Sequence, residues 1–390
     1  MEYFKPKKIA YFSFCYLVCS EAIYSVHMQK ITVGFIGAGG IAKAHALSLN
    51  SLKFYYPQVP EIQFEAVTSL NEQSRASFAE QFGFAKVLDY SNFINNAGIN
   101  TVFILGPNNS HFTHLEAVLE MTGATKIYLE KPVCSSLEEE QKMTKLLIKV
   151  TKSKQIQVGF QLLQMSAVRE AFKIKNCNDF GSPIHFNFTL KHSDYLKSSY
   201  REKRTSRLTP APDGGAMADL GSHAISLAVA FLGDNLKIVN ALQGGSFPDV
   251  PPASDLYSEI SVYDPKTGAV GTISASRVSS GTGDLLAFEI YYEKGTIKFS
   301  SQFPDQIKYF LEKDGHWVDV FTGSNFLPDT SFPSAHVPGG WLRSMFHAHY
   351  QFLTDIDNQS FIPDLHHGLA VQRLVRETAL YMKTFRSGLQ

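Results

Sequence analysis

The sequence predicts two domains: an α/β domain on a parallel, doubly wound sheet over 28–155, then an α+β domain with an open, mostly antiparallel sheet over 156–390. Three observations carry this. An apolar run, Ile31 to Ile36, enters a glycine turn, Gly37-Ala38-Gly39-Gly40-Ile41, which opens a helical pattern. Strand and helix patterns then alternate to about residue 160, as parallel strands covered by helices require. Past residue 180 the strand patterns follow one another across short turns, and short turns force antiparallel pairing.

In order, Ile31 to Ile36 reads as a buried first strand and Ala42 to Leu52 as the helix after it. Gly37 permits the tight turn, Gly39 lets backbone approach a pyrophosphate, and Ala42 is small enough for helix to pack on strand. Gly40 and Ile41 begin the helix, whose free N–H groups face the anion. A purely structural corner has the same pattern. Phe64 to Thr68 and Thr101 to Leu105 read as strands, the second ended by Gly106-Pro107. Asn71 to Phe82, His111 to Met121 and Leu137 to Val150 read as helices. Lys126 to Leu129 and Ile156 to Phe160 complete the sheet.

In the second domain, Pro183 to Leu190, Ile238 to Ala241, Ser258 to Tyr263, Ala269 to Ser276, Leu285 to Tyr292 and Thr296 to Ser300 read as strands. Asp264 to Gly268 and Glu293 to Gly295 supply the turn residues between them. Helices over Trp341 to Ile356 and Leu365 to Met382 close the chain and are candidates to pack back on the first domain.

Composition narrows the class. Of 390 residues, 44% are hydrophobic and 18% charged, which marks a globular chain with core enough for two domains. Lysine plus arginine equals aspartate plus glutamate at 36 each, so no basic footprint for nucleic acid exists. Cys15, Cys19, Cys134 and Cys177 match neither a zinc spacing nor a disulfide framework.

Four clusters carry chemistry. Thr68-Ser69-Leu70-Asn71 follows the second strand, where a carboxylate would bind a ribose hydroxyl and mark NAD. None stands there. Ser69 and Asn71 can donate to a 2′-phosphate and Arg75 can neutralise it, which favours NADP over NAD; helix capping by Ser69 and Asn71 is the alternative. Gly106-Pro107-Asn108, with His111, follows a buried strand, where ligands bind in open α/β sheets. Glu130-Lys131-Pro132 ends the next strand and aims Lys131 into the crevice as a donor to a carbinol oxygen. Asp219 and His223 stand four apart on a predicted helix, where the carboxylate orients the imidazole and raises its basicity. No third residue at ligand spacing accompanies them, so no metal is expected.

Together, in this order, the clusters resemble the Gfo/Idh/MocA family, the glucose–fructose oxidoreductase and inositol dehydrogenase group, over roughly Ile31 to Met382. The resemblance implies a Rossmann domain followed by an open sheet used for substrate and oligomer contacts. It implies an NAD(P)-dependent dehydrogenase of a sugar, polyol or related hydroxy compound, as a homodimer or homotetramer. Lys131 then contacts the reacting hydroxyl and the nicotinamide, His223 is the general base, and Asp219 supports it. Glu130 joins the cofactor set. A glycosidase that holds NAD, and a non-catalytic cofactor sensor, are the family's other known outcomes.

The chain departs from the family pattern at three places. Ser226 replaces an aspartate frequent in inositol dehydrogenases, Leu162-Leu163 an arginine pair, and Gly106 a common threonine. The first two point away from inositol. Gln161, His192, Tyr195 and Ser226 are the candidate substrate residues.

Residues 1–27 read as an extension. Lys5, Lys7 and Lys8 precede an apolar stretch, Ile9 to Cys19, that is too short to span a bilayer and lacks a cleavage site. Translation from Met28 and a cytoplasmic, membrane-free protein are the expectation, with export as the alternative.

Overall fold

The computed structural model describes residues 30–149, 154–208, 214–245, 247–251, 253–323, 340–354 and 361–387. The expected extension and the start at Met28 lie outside the described residues.

The first domain has strands β1 (Ile31–Ile36), β2 (Ile62–Thr68), β3 (Lys86–Val87), β4 (Thr101–Ile104), β5 (Lys126–Leu129) and β6 (Gln155–Val158). Helices α1 (Gly40–Tyr55), α2 (Glu72–Phe82), α3 (Tyr90–Ile94), α4 (His111–Glu120) and α5 (Leu137–Lys149) connect them. The sheet is parallel throughout, in the order β3-β2-β1-β4-β5-β6. Order reverses between β1 and β4, so the loops leaving these two strands part around a crevice at their carboxyl ends, where such sheets bind ligands. Val33, Phe35, Val102 and Phe103 are fully buried, as strands covered on both faces require.

The second domain contains α6 (Ser166–Cys177), β7 (Pro183–Lys191), α7 (Ser198–Glu202), α8 (Ser222–Leu232) and β8 (Lys237–Gly244). Strands β9 (Tyr257–Tyr263), β10 (Val270–Ser276), β11 (Leu285–Tyr292), β12 (Gly295–Ser300), β13 (Gln306–Leu311) and β14 (Trp317–Phe321) follow. They form an eight-stranded sheet, β14-β13-β12-β11-β7-β10-β9-β8, antiparallel except for the β7–β10 pair. Strict alternation in β11 and β9 buries one face and leaves the other half-exposed. The sequence reading missed β13 and β14. Strand β14 is an edge with no buried residue, so it carries no hydrophobic signal.

The last helices, α9 (Trp341–Thr354) and α10 (Leu365–Ser387), return to the first domain. Phe346, Tyr350, Phe352 and Leu353 of α9 join the core that holds Phe35, Phe103 and Tyr128. Each such side chain, fully buried, contributes about 1.5–3 kcal/mol. Helix α10 runs against α8 and α5, and bare Gly368 lies against Val133 and Val158.

Candidate active site

The crevice begins at the glycine turn. Gly37 has φ +120°, and a Cβ there would meet the Leu105 carbonyl at 2.6 Å, so only glycine fits between the loops after β1 and β4. A Cβ on Gly39 or Gly40 would meet nothing within 4 Å. Helix α1 starts without a side-chain cap and without an acidic residue in its first turn. Its free N–H groups therefore face open space, with half-buried Ile41 beside them. A dinucleotide pyrophosphate fits this cradle.

At the end of β2, Asn71 Oδ1 caps Ser74 N at 2.8 Å, Ser69 Oγ donates to Asn71 O, and Arg75 donates to Ser69 O at 2.8 Å. Asn71 is thus a helix cap, and its carbonyl amide oxygen is engaged. His111, expected in the cofactor set, has both ring nitrogens engaged by backbone. It is buried between Pro132 O (2.6 Å) and Gly106 O (3.0 Å), tying the loops after β4 and β5 together. Pro107 O in turn accepts from Ser110 N, which closes the short turn Asn108–Ser110.

Glu130, also expected in the cofactor set, is nearly buried. Its carboxylate turns away from the crevice into the first domain, where His45 Nε2 lies 3.0 Å from Oε1. The adjacent Lys131 turns the other way. Its Nζ donates to Asp219 O at 2.8 Å and lies 3.3 Å from Asp219 Oδ1. The end of β5 thereby meets the turn ahead of α8, across the two domains.

That turn is a π-helical turn, Met217–Gly221, rather than the expected α-helix. Bare Gly221 lies tightly against Met217 and Ala275. No hydrogen bond joins Asp219 to His223 among the described residues. The Asp219 carboxylate takes Lys131, Arg207 at 3.4 Å and Arg277 at 2.8 Å. Burial alone would push this carboxyl up, but the three cations hold it well below the ordinary range. His223 makes no hydrogen bond among the described residues, and its buried Nδ1 has no partner. Burial, then the charge of Lys131, pulls its pKa down to about 3 against the weaker pull of Asp219. The expected gain in basicity is therefore reversed, and the imidazole is neutral at ordinary pH.

The remaining candidates separate. His192 Nδ1 accepts from Asp194 N; burial lowers its pKa, with Asp219 and Arg277 among the weaker charges acting on it. Tyr195 is buried under the Arg277 guanidinium at 4.5 Å, with its hydroxyl unpartnered. These two stand beside the Asp219 hub. Gln161 does not: with its amide turned to satisfy both groups, it bridges Gly159 O (2.8 Å) and Trp341 Nε1. Ser226 is sealed against His367 Nε2 at 2.7 Å. His367 reaches the site only through Phe160, edge-on to both His367 and His223.

Sequence reasoning missed Arg277, a fully buried arginine directly after β10 whose guanidinium serves Asp219 Oδ2 and Arg207 O. A lone cation closing a strand of small residues was its signal. Among the described residues, no three His, Cys, Asp or Glu side chains gather as metal ligands.

Fold and crevice define a dinucleotide-binding two-domain protein, and the comparisons agree. Residues 31–160 match the family model described as oxidoreductase family, NAD-binding Rossmann fold. Residues 168–298 match the GFO/IDH/MocA C-terminal domain. The chain belongs to this family of oxidoreductases. It is similar to levoglucosan dehydrogenase of Pseudarthrobacter phenanthrenivorans, 26% identical over 316 residues, covering 74% of this chain and 78% of the relative. It also resembles glucose-6-phosphate 3-dehydrogenase of Bacillus subtilis, 29% identical over 204 residues, 51% of this chain and 53% of that one. Among solved structures, levoglucosan dehydrogenase in complex with NADH and levoglucosan matches with TM-score 0.77 at 24% identity, over 90% of this chain and 97% of that one. No helix among the described residues is long and apolar enough to cross a membrane.

Proposed function

We propose that this chain oxidises or reduces a carbinol carbon of a sugar, polyol or related hydroxy compound, with a nicotinamide dinucleotide along the α1 cradle. Bound there, the nicotinamide supplies the hydride acceptor or donor. Lys131 donates a hydrogen bond to the reacting oxygen and stabilises charge that develops on it. His223, neutral and therefore holding a free lone pair, takes the hydroxyl proton during oxidation. Asp219 acts on Lys131 rather than on His223: it fixes the ammonium, with Arg277 as its buried counter-ion. The observation that carries this reading is the anchoring of Lys131 Nζ on the very turn that presents an unpartnered, buried His223. The named activities of the two relatives support the substrate class.

For the cofactor, the lack of a carboxylate over 68–71 and the presence of Arg75 support NADP over NAD. Levoglucosan, D-glucose 6-phosphate, myo-inositol and D-glucose, each with NAD and NADP, test both readings by absorbance of the reduced nicotinamide. Turnover of at least one is expected, with NADP preferred about tenfold, the effect of one charged hydrogen bond. A blank throughout contradicts the function. A preference for NAD contradicts the role of Arg75 alone.

A further inference from the structure

Behind Lys131 lies a second set of polar groups that the proposed chemistry does not use. Glu130 Oε1 meets His45 Nε2 at 3.0 Å, His45 Nδ1 meets His349 Nε2 at 2.8 Å, and His349 Nδ1 meets Ser48 Oγ at 2.7 Å. Glu130 Oε2 accepts from the backbone N–H of Lys131 at 3.2 Å. His45, Ser48 and His349 are wholly buried and Glu130 nearly so. The four groups come from three places: α1, the end of β5, and α9. Gly159 lacks a side chain where a Cβ would strike the Glu130 carboxyl.

The carboxylate and the ring nitrogens of this chain are satisfied in either of two proton placements. With His45 neutral, Ser48 donates to His349, His349 Nε2–H donates to His45, and His45 Nε2–H donates to Glu130. With His45 charged, His45 donates at both ends and His349 Nδ1–H donates to Ser48. Burial, then neighbouring His45, holds His349 well below the usual imidazole range, so it is neutral in both. Either way a donor meets Oε1 while Lys131 N–H meets Oε2. The carboxylate is gripped at both oxygens, and its backbone neighbour is gripped with it. A second tie secures the same helices: Tyr56 at the end of α1 meets His347 Nδ1 at 2.8 Å and accepts from Arg343 at 2.6 Å, both from α9. Fully satisfied buried networks rigidify what they join.

We infer that His45, Ser48 and His349 are positioning residues for Lys131, acting through Glu130, so that the helix that cradles the cofactor and the loop that carries the lysine are set in one register. The inference rests on the role proposed for Lys131. Its cost of failure is catalytic: a shift of about 1 Å in a reacting group lowers rate by about 100-fold.

A double-mutant cycle tests it, with His45→Gln measured in the wild type and in Lys131→Met, using whichever of levoglucosan, D-glucose 6-phosphate, myo-inositol or D-glucose is turned over best. In the wild type, kcat falls by about 10- to 100-fold with little change in KM. In Lys131→Met, His45→Gln adds no more than about twofold, because its route to the chemistry is already cut. Full multiplication of the two losses overturns the inference while leaving Lys131 catalytic. An unimpaired Lys131→Met removes the role of the lysine itself, and with it the endpoint of the chain. Ser48→Ala, which removes one hydroxyl, serves if His45→Gln does not fold; kcat falls about threefold through the unfixed His349. A readout free of turnover is acetylation of Lys131 by acetic anhydride, followed by mass spectrometry against the other lysines. Its rate rises about tenfold in His45→Gln, the change expected when the displaced ammonium loses its hydrogen bond to Asp219 O. An unchanged rate overturns the inference.

Discussion

Glu130 and Lys131 are neighbours at the end of one strand, yet they serve opposite regions. On the Glu130 side each side chain from the carboxylate to Ser48 has a partner, and all are buried, Glu130 nearly so. On the Lys131 side a single carboxylate, Asp219, answers three cations, and His223 Nδ1, Tyr195 OH and Arg277 Nε are buried without partners. Unsatisfied buried groups are costly and uncommon in native proteins. These are the groups that the substrate of the proposed reaction would partner. The satisfied side teaches what holds them still.

The largest expected effects break the unsatisfied side. Lys131→Met and His223→Asn each lower kcat by about 10²- to 10⁴-fold, the range for removing a positioned proton-transfer group. The melting temperature stays near wild type for Lys131→Met, whose flexible stem is partly exposed, and falls modestly for His223→Asn, whose buried ring packs against Phe160. Asp219→Asn behaves differently. It strips the buried Arg277 of its counter-charge, and breaking such a pair costs about 3–5 kcal/mol. Calorimetry therefore shows a marked drop in Tm for Asp219→Asn and almost none for Lys131→Met; equal drops contradict the hub.

A second comparison sets the cradle against the hub. Gly37→Val forces a side chain into the left-handed region and against the Leu105 carbonyl, at about 1–3 kcal/mol for the backbone alone. It abolishes binding of the reduced nicotinamide cofactor in a fluorescence titration, whereas Lys131→Met leaves that binding intact.

Acid provides a third. His223 and His367 are both held down to about 3, from an ordinary 6.5, chiefly by burial. The unfolded chain binds protons at these sites over a window in which the folded chain does not. Stability is therefore complete above about pH 6.5 and declines as pH falls toward 3. His367→Asn flattens that decline, read as Tm against pH, and an unaltered slope contradicts burial as the cause. The smallest effect belongs to Ser226→Ala, which leaves His367 Nε2 without its partner. It costs about 1–3 kcal/mol and leaves the sugar KM unmoved, since Ser226 lies behind Phe160.

The architecture was legible because its signals are local. Buried parallel strands announce themselves as apolar runs, and Gly37 as a turn residue; β14, with no buried residue, announces nothing. The elements of the site were legible too, but not their pairing. Spacing placed Asp219 one turn from His223, whereas Lys131, 88 positions earlier, and Arg277, 58 positions later, claim the carboxylate. No local pattern encodes that contest. The Met217–Gly221 segment that carries Asp219 is a π turn, and Gly221 packs tightly against Met217 and Ala275. His45 in an apolar helix reads as a core residue until β5 and α9 are folded against it.

The central claim is that the Lys131 ammonium and the His223 imidazole address one reacting oxygen beside the nicotinamide. A crystal structure with the preferred nicotinamide cofactor in its reduced form and the preferred sugar tests this most directly. The account predicts a single sugar hydroxyl within hydrogen-bond distance of both Lys131 Nζ and a His223 ring nitrogen, with the pyrophosphate on Gly39 and Gly40. A hydroxyl held by neither side chain, or a nicotinamide lodged away from the Asp219 turn, contradicts it.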